Sequence, residues 1–317
     1  MRLKIQYVAE RGKLLLPLHY NYLVQSLIYR TFPEQTASFL HEEGFQIHKR
    51  HFKLFTFSRI LNKGDLVSGR TLSTLKFALG FPDDFVFTVH RKNAGEEALL
   101  FRNGISFYFS SAKPFIVKEM AEGTIMKQRF DLLGQKLFVQ QIEVMKDPEF
   151  SESMLIKTLS PITTYSTIVS ETGSKKTYYY SPNEPEFSAL VSDNARKKYM
   201  LIKGKFPESS LKIIPVFFNE RKNRAVVYFK GIRIEGWSGV FKLIGPKDLI
   251  KITYDAGLGG KSPQGFGMWK VYKPRNYVAR FNNGYDRVGH RANAIEKSTG
   301  EDSMRSVPAK PYGKSVE

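Results

Sequence analysis

Residues 1–10 alternate, with Leu3, Ile5 and Tyr7 apolar and Arg2, Lys4 and Gln6 polar, which is the two-residue period of a half-buried strand. After Pro17 the period changes. Across residues 19–32, Tyr20, Leu23, Val24, Leu27 and Ile28 recur at spacings of three and four, placing them on one face of a helix. Pro33 sits where a first helical turn tolerates proline, and Gly44 is a favoured residue for closing a helix, so a short second helix is expected through Leu40. Residues 52–61 and 104–111 are rich in aromatic and β-branched side chains, residues 114–126 read as a helix, and residues 136–145 alternate as a strand. The order is strand, helix, strand, strand, helix, strand.

A looser version of that order follows Pro148. Strands are expected near 154–162, 211–218, 224–235 and 266–272, with helices at 184–199 and 246–256. Two βαββαβ units in tandem, an α+β fold, account for the chain with domains at 1–148 and 149–272. Two stretches fall outside the repeat. Residues 62–103 hold Phe81, Phe85, Val86, Phe87 and Val89, too apolar for a solvated loop, and an inserted hairpin is expected there. Residues 273–317 mix Gly, Pro, Asn, Ser and charge with few aliphatic side chains, the composition of a disordered basic tail.

Composition narrows the chemistry. The 317 residues carry 49 Lys and Arg against 30 Asp and Glu, a formal charge of +19, which favours polyanions through Coulomb attraction and counterion release. No cysteine is present, so disulfides, thiolate zinc sites and cysteine nucleophiles are excluded. The first ten residues alternate instead of forming the apolar block of a signal peptide, and no stretch reaches the length of a membrane span. A soluble cytoplasmic protein with nucleic acid as its leading partner class is the expectation.

Several residues could carry chemistry. Tyr29 lies on the first helix, roughly opposite the stripe of Leu23, Val24 and Leu27, and Tyr22 shares its face. His41 falls in the last turn of the second helix, where unpaired carbonyls and the neighbouring Glu42 and Glu43 favour an imidazolium. His48, Lys49, Arg50, His51 and Lys53 form a cationic run leading into a strand and suited to phosphate contacts. From Ala256 the sequence AGLGGKSPQGFGMWKVY places Gly257, Gly259, Gly260, Gly265 and Gly267 between a helix and a strand, relieving the backbone of side chains where a phosphate chain could approach. It lacks the order of a Walker loop, and Gly265-Phe266-Gly267 echoes only loosely the aromatic strand of an RNA-recognition motif.

With these segments in place, the chain resembles the CRISPR-associated repeat-processing endoribonucleases, the Cas six family of the RAMP superfamily. The resemblance rests on Pro17-Leu18-His19-Tyr20-Asn21 with Leu27-Ile28-Tyr29, on Phe39-Leu40-His41-Glu42, and on Lys53-Leu54-Phe55-Thr56-Phe57-Ser58. It continues through Ile105-Ser106-Phe107-Tyr108 and Leu159-Ser160-Pro161-Ile162, then Gly257-Leu258-Gly259 leading to Ser262-Pro263-Gln264-Gly265-Phe266-Gly267-Met268. These blocks keep their order across residues 1–272.

The resemblance implies tandem ferredoxin-like, RRM-like domains and a catalytic group at Tyr29, His41 and Lys53. It implies cleavage of CRISPR precursor RNA within repeats by attack of the 2′-hydroxyl, without metal or cofactor, leaving 2′,3′-cyclic phosphate and 5′-hydroxyl ends. The expected RNA-binding set is His48, Lys49, Arg50, His51, Gly257, Gly259, Lys261, Gly265, Phe266 and Gly267, the glycines shaping the site. Implied partners are precursor and mature repeat RNA and a CRISPR effector complex, with no membrane, and the protein acting as a monomer or homodimer. The alternative is a non-catalytic guide-RNA-binding member of the same superfamily. Which of Tyr29 and His41 is the general base stays open at this point, because free phenol and imidazole pKa values favour histidine while its place at a helix end favours it as the acid. The chain departs from the family pattern in residues 62–103, in Gly260-Lys261 where an acidic residue is more usual, and in the tail.

Overall fold

A computed structural model describes residues 1–87, 95–169 and 173–274. Its first half begins with β1 (Arg2–Leu16), whose Leu3, Ile5, Tyr7 and Ala9 point into the core as their alternation requires. There follow α1 (Asn21–Thr31), α2 (Glu34–Glu42), a small hairpin of β2 (Phe45–Ile47) and β3 (Arg50–Phe52), and β4 (Phe55–Phe57). Then come β5 (Asp65–Ser68), α3 (Gly69–Leu79), β6 (Glu97–Ser111), α4 (Pro114–Lys127), β7 (Arg129–Leu132) and β8 (Gln135–Met145). The strands form one antiparallel sheet in the order β4-β6-β1-β8-β7, with β5 also pairing β6. Taking β1, β4, β6 and β8 as strands one to four, the order is 2-3-1-4, and α1 and α4 bury Leu23, Val24, Leu27, Ile28, Ile116, Val117 and Met120 in the core shared with the sheet.

The second half repeats the plan. It comprises β9 (Ser153–Thr158), a hairpin of β10 (Tyr165–Val169) and β11 (Lys175–Tyr179), α5 (Pro185–Lys203), β12 (Lys212–Val216) and the single-turn α6 (Glu220–Asn223). A hairpin of β13 (Arg224–Phe229) and β14 (Ile232–Trp237), then β15 (Val240–Ile244), α7 (Lys247–Ala256) and β16 (Trp269–Val271), complete it. The sheet order β12-β15-β9-β16 is again 2-3-1-4 and antiparallel. Two ferredoxin-like arrangements are therefore present in tandem, within one compact unit, Met1–Tyr272.

Several expectations change. Residues 62–103 contain no separate hairpin among the described residues: β5 joins the main sheet, α3 packs Leu72 and Leu79 against Leu15, Phe81 and Phe87, and the last seven residues belong to β6. Asn103 and Gly104 both adopt positive φ, and β6 passes through them at the register shift opposite Val8 and Lys13 of β1. Val89 lies outside the described residues, as does the expected tail from residue 275. Residues 224–235 are not one strand, since Lys230 and Gly231, at φ 48° and 80°, fold them into β13–β14, and the third sheet strand is β15. No helix is long and apolar enough to cross a membrane among the described residues.

Candidate active site and adjoining cleft

The last turn of α2 is where the first-half residues meet. Tyr29 is half-buried, packed edge-on against Phe32, Phe55 and His41, its ring centroid 6.0 Å from the imidazole. It therefore lies against the core rim, and so does Tyr22, instead of both projecting freely from α1. The Tyr29 hydroxyl donates to the carbonyl of Leu40 at 3.3 Å, and Lys53 Nζ donates to the next carbonyl, that of His41, at 3.1 Å. Adjacent carbonyls at a helix C-terminus have no intrahelical donors and carry partial negative charge, so they attract a hydroxyl and an ammonium. Phenol, imidazole and ammonium thus converge at one helix end, His41 being the exposed member.

Burial sets the protonation of two of them. Removal from water pushes the Tyr29 phenol up to about 12, so it holds its proton across the physiological range. Burial pushes Lys53 down from the ordinary lysine value, and Glu43 pulls it partly back. Gly44 makes this packing feasible. Its φ is +65°, and a Cβ there would lie 2.6 Å from the Phe52 carbonyl oxygen and 2.8 Å from Lys53 Cδ.

The cationic run folds back on itself instead of leading straight into a strand. Gln46 and His51 are paired across β2–β3, His48 at φ 50° forms the turn with Lys49, and His48, Lys49, Arg50 and His51 are all exposed. His51 Nδ1 lies 2.7 Å from the Glu43 carbonyl oxygen, an acceptor only, so that nitrogen carries the hydrogen. Arg50 reaches Asp193 of α5 at 3.8 Å, an exposed pair of small energetic consequence.

Beyond Lys53 the surface opens into a cleft of about 350 Å³ between β3 and the glycine-rich loop, lined among others by Arg50, Lys53, Tyr165, Lys198, Gly259 and Lys261. Lys261 holds its ammonium 4.8 Å from the Tyr165 ring centroid, a cation–π contact. Of the other expected RNA contacts, Gly257, Gly265 and Gly267 are buried against protein, and Phe266, with no accessible surface, fills a small core with Val227, Phe229 and Ile234. Phe266 is a packing residue in this state, because a ring without exposed face cannot stack on a base.

The C-terminal half, residues 145–271, matches the family model described as CRISPR associated protein Cas6, C-terminal. Over these residues the chain is similar to the Cas6 family. A CRISPR-associated endoribonuclease Cas6 of Pyrococcus furiosus is 28% identical over 259 residues, covering 80% of this chain and 83% of its own. Among solved structures, a Cas6-related protein from Pyrococcus furiosus superposes with a TM-score of 0.68 at 22% identity, covering 87% of this chain and 99% of that one. A RAMP protein described as binding different RNA substrates gives 0.66 at 21% identity, covering 86% and 100%. These structural likenesses establish the Cas6 fold.

Two lining residues escaped sequence reading. Tyr165 starts the unforeseen β10–β11 hairpin and had no periodic signal. Lys198 did leave one: it continues the stripe of Phe187, Val191 and Ala195 at spacings of four, four and three, a lysine where an apolar residue belongs.

Proposed function

We propose that this protein cuts CRISPR precursor RNA within its repeats, by metal-independent attack of the 2′-hydroxyl on the adjacent phosphate. The observation that carries the reading is the meeting of Tyr29, His41 and Lys53 at the C-terminal end of α2, beside a cationic cleft. Relatives named as CRISPR-associated endoribonucleases support it.

RNA supplies its own nucleophile, so the protein needs only to move two protons and stabilise a crowded phosphorane. A phenol held protonated up to about 12 is poorly suited as a base and keeps the proton it would donate, which supports His41 as the base. His41 takes the 2′-hydroxyl proton, the 2′-oxygen bonds to phosphorus, and the bond from phosphorus to the 5′-oxygen breaks. Tyr29 gives its proton to the departing oxygen, and Lys53 faces the non-bridging oxygens, where a fixed cation in a partly dry site counts most. The products are a 2′,3′-cyclic phosphate and a 5′-hydroxyl, with protons returned through solvent. The processed RNA is then free to pass to an effector complex.

The test is incubation of purified protein with repeat RNA in excess EDTA, followed by identification of the product ends. Cleavage to a cyclic phosphate and a 5′-hydroxyl is expected. Binding without cleavage would leave the non-catalytic RNA binder, and cleavage abolished by EDTA would reject the mechanism.

A further inference from the structure

Lys198 is 3% exposed, and its ammonium lies within hydrogen-bond distance of four oxygens: the carbonyls of Ala256, Gly257 and Gly259 at 3.1, 2.8 and 3.2 Å and Ser262 Oγ at 3.0 Å. An ammonium has three N–H bonds, so at least one is shared. Ala256 is the last residue of α7 and Gly257 its cap, so the cation sits where the helix end is electronegative. Burial pushes its pKa down to about 7. Methionine or leucine would fill that space without this desolvation cost, which a buried cation must recover through its acceptors. What lysine adds is direction, since three backbone carbonyls must face one point.

The loop so fixed touches α1, which carries Tyr29, and β4, which begins two residues after Lys53; both side chains are half-buried. On α1, Asn21 Nδ2 donates to the Gln264 carbonyl at 2.9 Å and Gln25 Nε2 to the Pro263 carbonyl at 2.7 Å, about two turns and one turn before Tyr29 respectively. On β4, three residues after Lys53, Thr56 Oγ1 donates to the Phe266 carbonyl at 2.9 Å, and a Cβ on Gly257 would lie 3.1 Å from Thr56. Position is therefore passed from α5 through the loop to α1 and β4.

We propose that Lys198 is a positioning residue for RNA cleavage, its ammonium fixing the glycine-rich loop in the form that braces Tyr29 and Lys53 at their spacing from His41. The proposal rests on the catalytic reading above, so its test has one arm that does not need cleavage. Lys198→Met is expected to slow single-turnover cleavage at saturating protein on the order of 10- to 100-fold, the scale of an ångström-level misplacement. Affinity for repeat RNA bearing a 2′-deoxy sugar at the cut should stay near that of the wild type.

Because the chain has no cysteine, Lys198→Cys can be alkylated at that position alone, unfolded, and then refolded. Treatment with 2-bromoethylamine restores an ammonium of nearly lysine length and should recover the rate, whereas iodoacetamide leaves a neutral amide and should not. Hydrogen exchange of the loop amides should follow the same order, fast in the methionine and amide forms and slow in the two ammonium forms. Should the methionine variant refold poorly, Ser262→Ala removes one acceptor and should slow cleavage in the same direction by a smaller factor. Equal rates for the two alkylated proteins, or a loosened loop with an unchanged rate, would overturn the proposal. If the wild type does not cut RNA, the catalytic reading fails, and loop exchange that ignores the charge at position 198 would separately overturn the positioning role.

Discussion

Tyr29 and His41 differ in burial, and that difference makes their roles separable by chemistry. A residue that protonates the leaving oxygen is dispensable when the leaving group departs as a stable anion. Tyr29→Phe is expected to slow cleavage of ordinary repeat RNA by about 10² to 10⁴, the range for loss of a proton-transfer group. With sulfur replacing the 5′-oxygen at the cut, most of that loss should vanish, because a thiolate leaves without a proton. His41→Ala should be as slow on normal RNA and stay slow on the sulfur substrate, its base still missing. Measured single-turnover rates for the four combinations decide the matter, and rescue of the His41 variant in place of the Tyr29 variant would exchange the two roles. Neither change should weaken binding of the 2′-deoxy RNA, since His41 is exposed and Tyr29 is anchored internally to Leu40.

At the level of elements, α2 and the β2–β3 hairpin matter because Gly44 joins them under tight constraint. Two effects act at Gly44, a left-handed backbone and a Cβ position 2.6 Å from the Phe52 carbonyl oxygen. Asparagine tolerates left-handed φ, so it relieves the first effect and not the second. Gly44→Ala and Gly44→Asn should therefore both destabilise, by roughly 1–3 kcal/mol in urea unfolding, and both should slow cleavage through displacement of Lys53. Gly12, at the same φ of +65° with open space around it, should accept asparagine at little cost. Full recovery in Gly44→Asn would mean that backbone strain alone is at stake.

The elements also show what a sequence reveals. Apart from β15, which the strand pattern at 224–235 displaced, the main strands and helices of both repeats were legible because each buries one face, so Leu3-Ile5-Tyr7 and Leu23-Val24-Leu27-Ile28 print their periods. The hairpins β2–β3 and β10–β11 were not, being short and mostly exposed, with little face to bury. Lys230-Gly231 was readable turn chemistry, and the strand pattern on either side of it masked the break. Tyr29, His41 and Lys53 came from matching segments, and their meeting depends on α2 ending beside α1, which no local period encodes.

For the whole molecule the relevant quantity is charge in space. The excess of 49 basic over 30 acidic residues lies mostly before residue 273, and Lys49 and Arg50 stand exposed on the hairpin beside the cleft while Lys53 is tucked against the His41 carbonyl. Exposed cations contribute to affinity by releasing counterions from phosphates, so each lost contact to single-stranded RNA lowers the salt slope of binding by about 0.7. A Lys49→Ala, Arg50→Ala double variant should weaken binding of the 2′-deoxy RNA and flatten its plot of log affinity against log salt by up to about 1.4. At saturating protein its cleavage rate should match the wild type, because neither side chain belongs to the catalytic group. Lys53→Ala should behave in the opposite way, losing most of its rate while changing the slope by no more than one contact. An unchanged slope in the double variant would place the RNA on another face, and the cleft would then have to be separated from the path of the substrate.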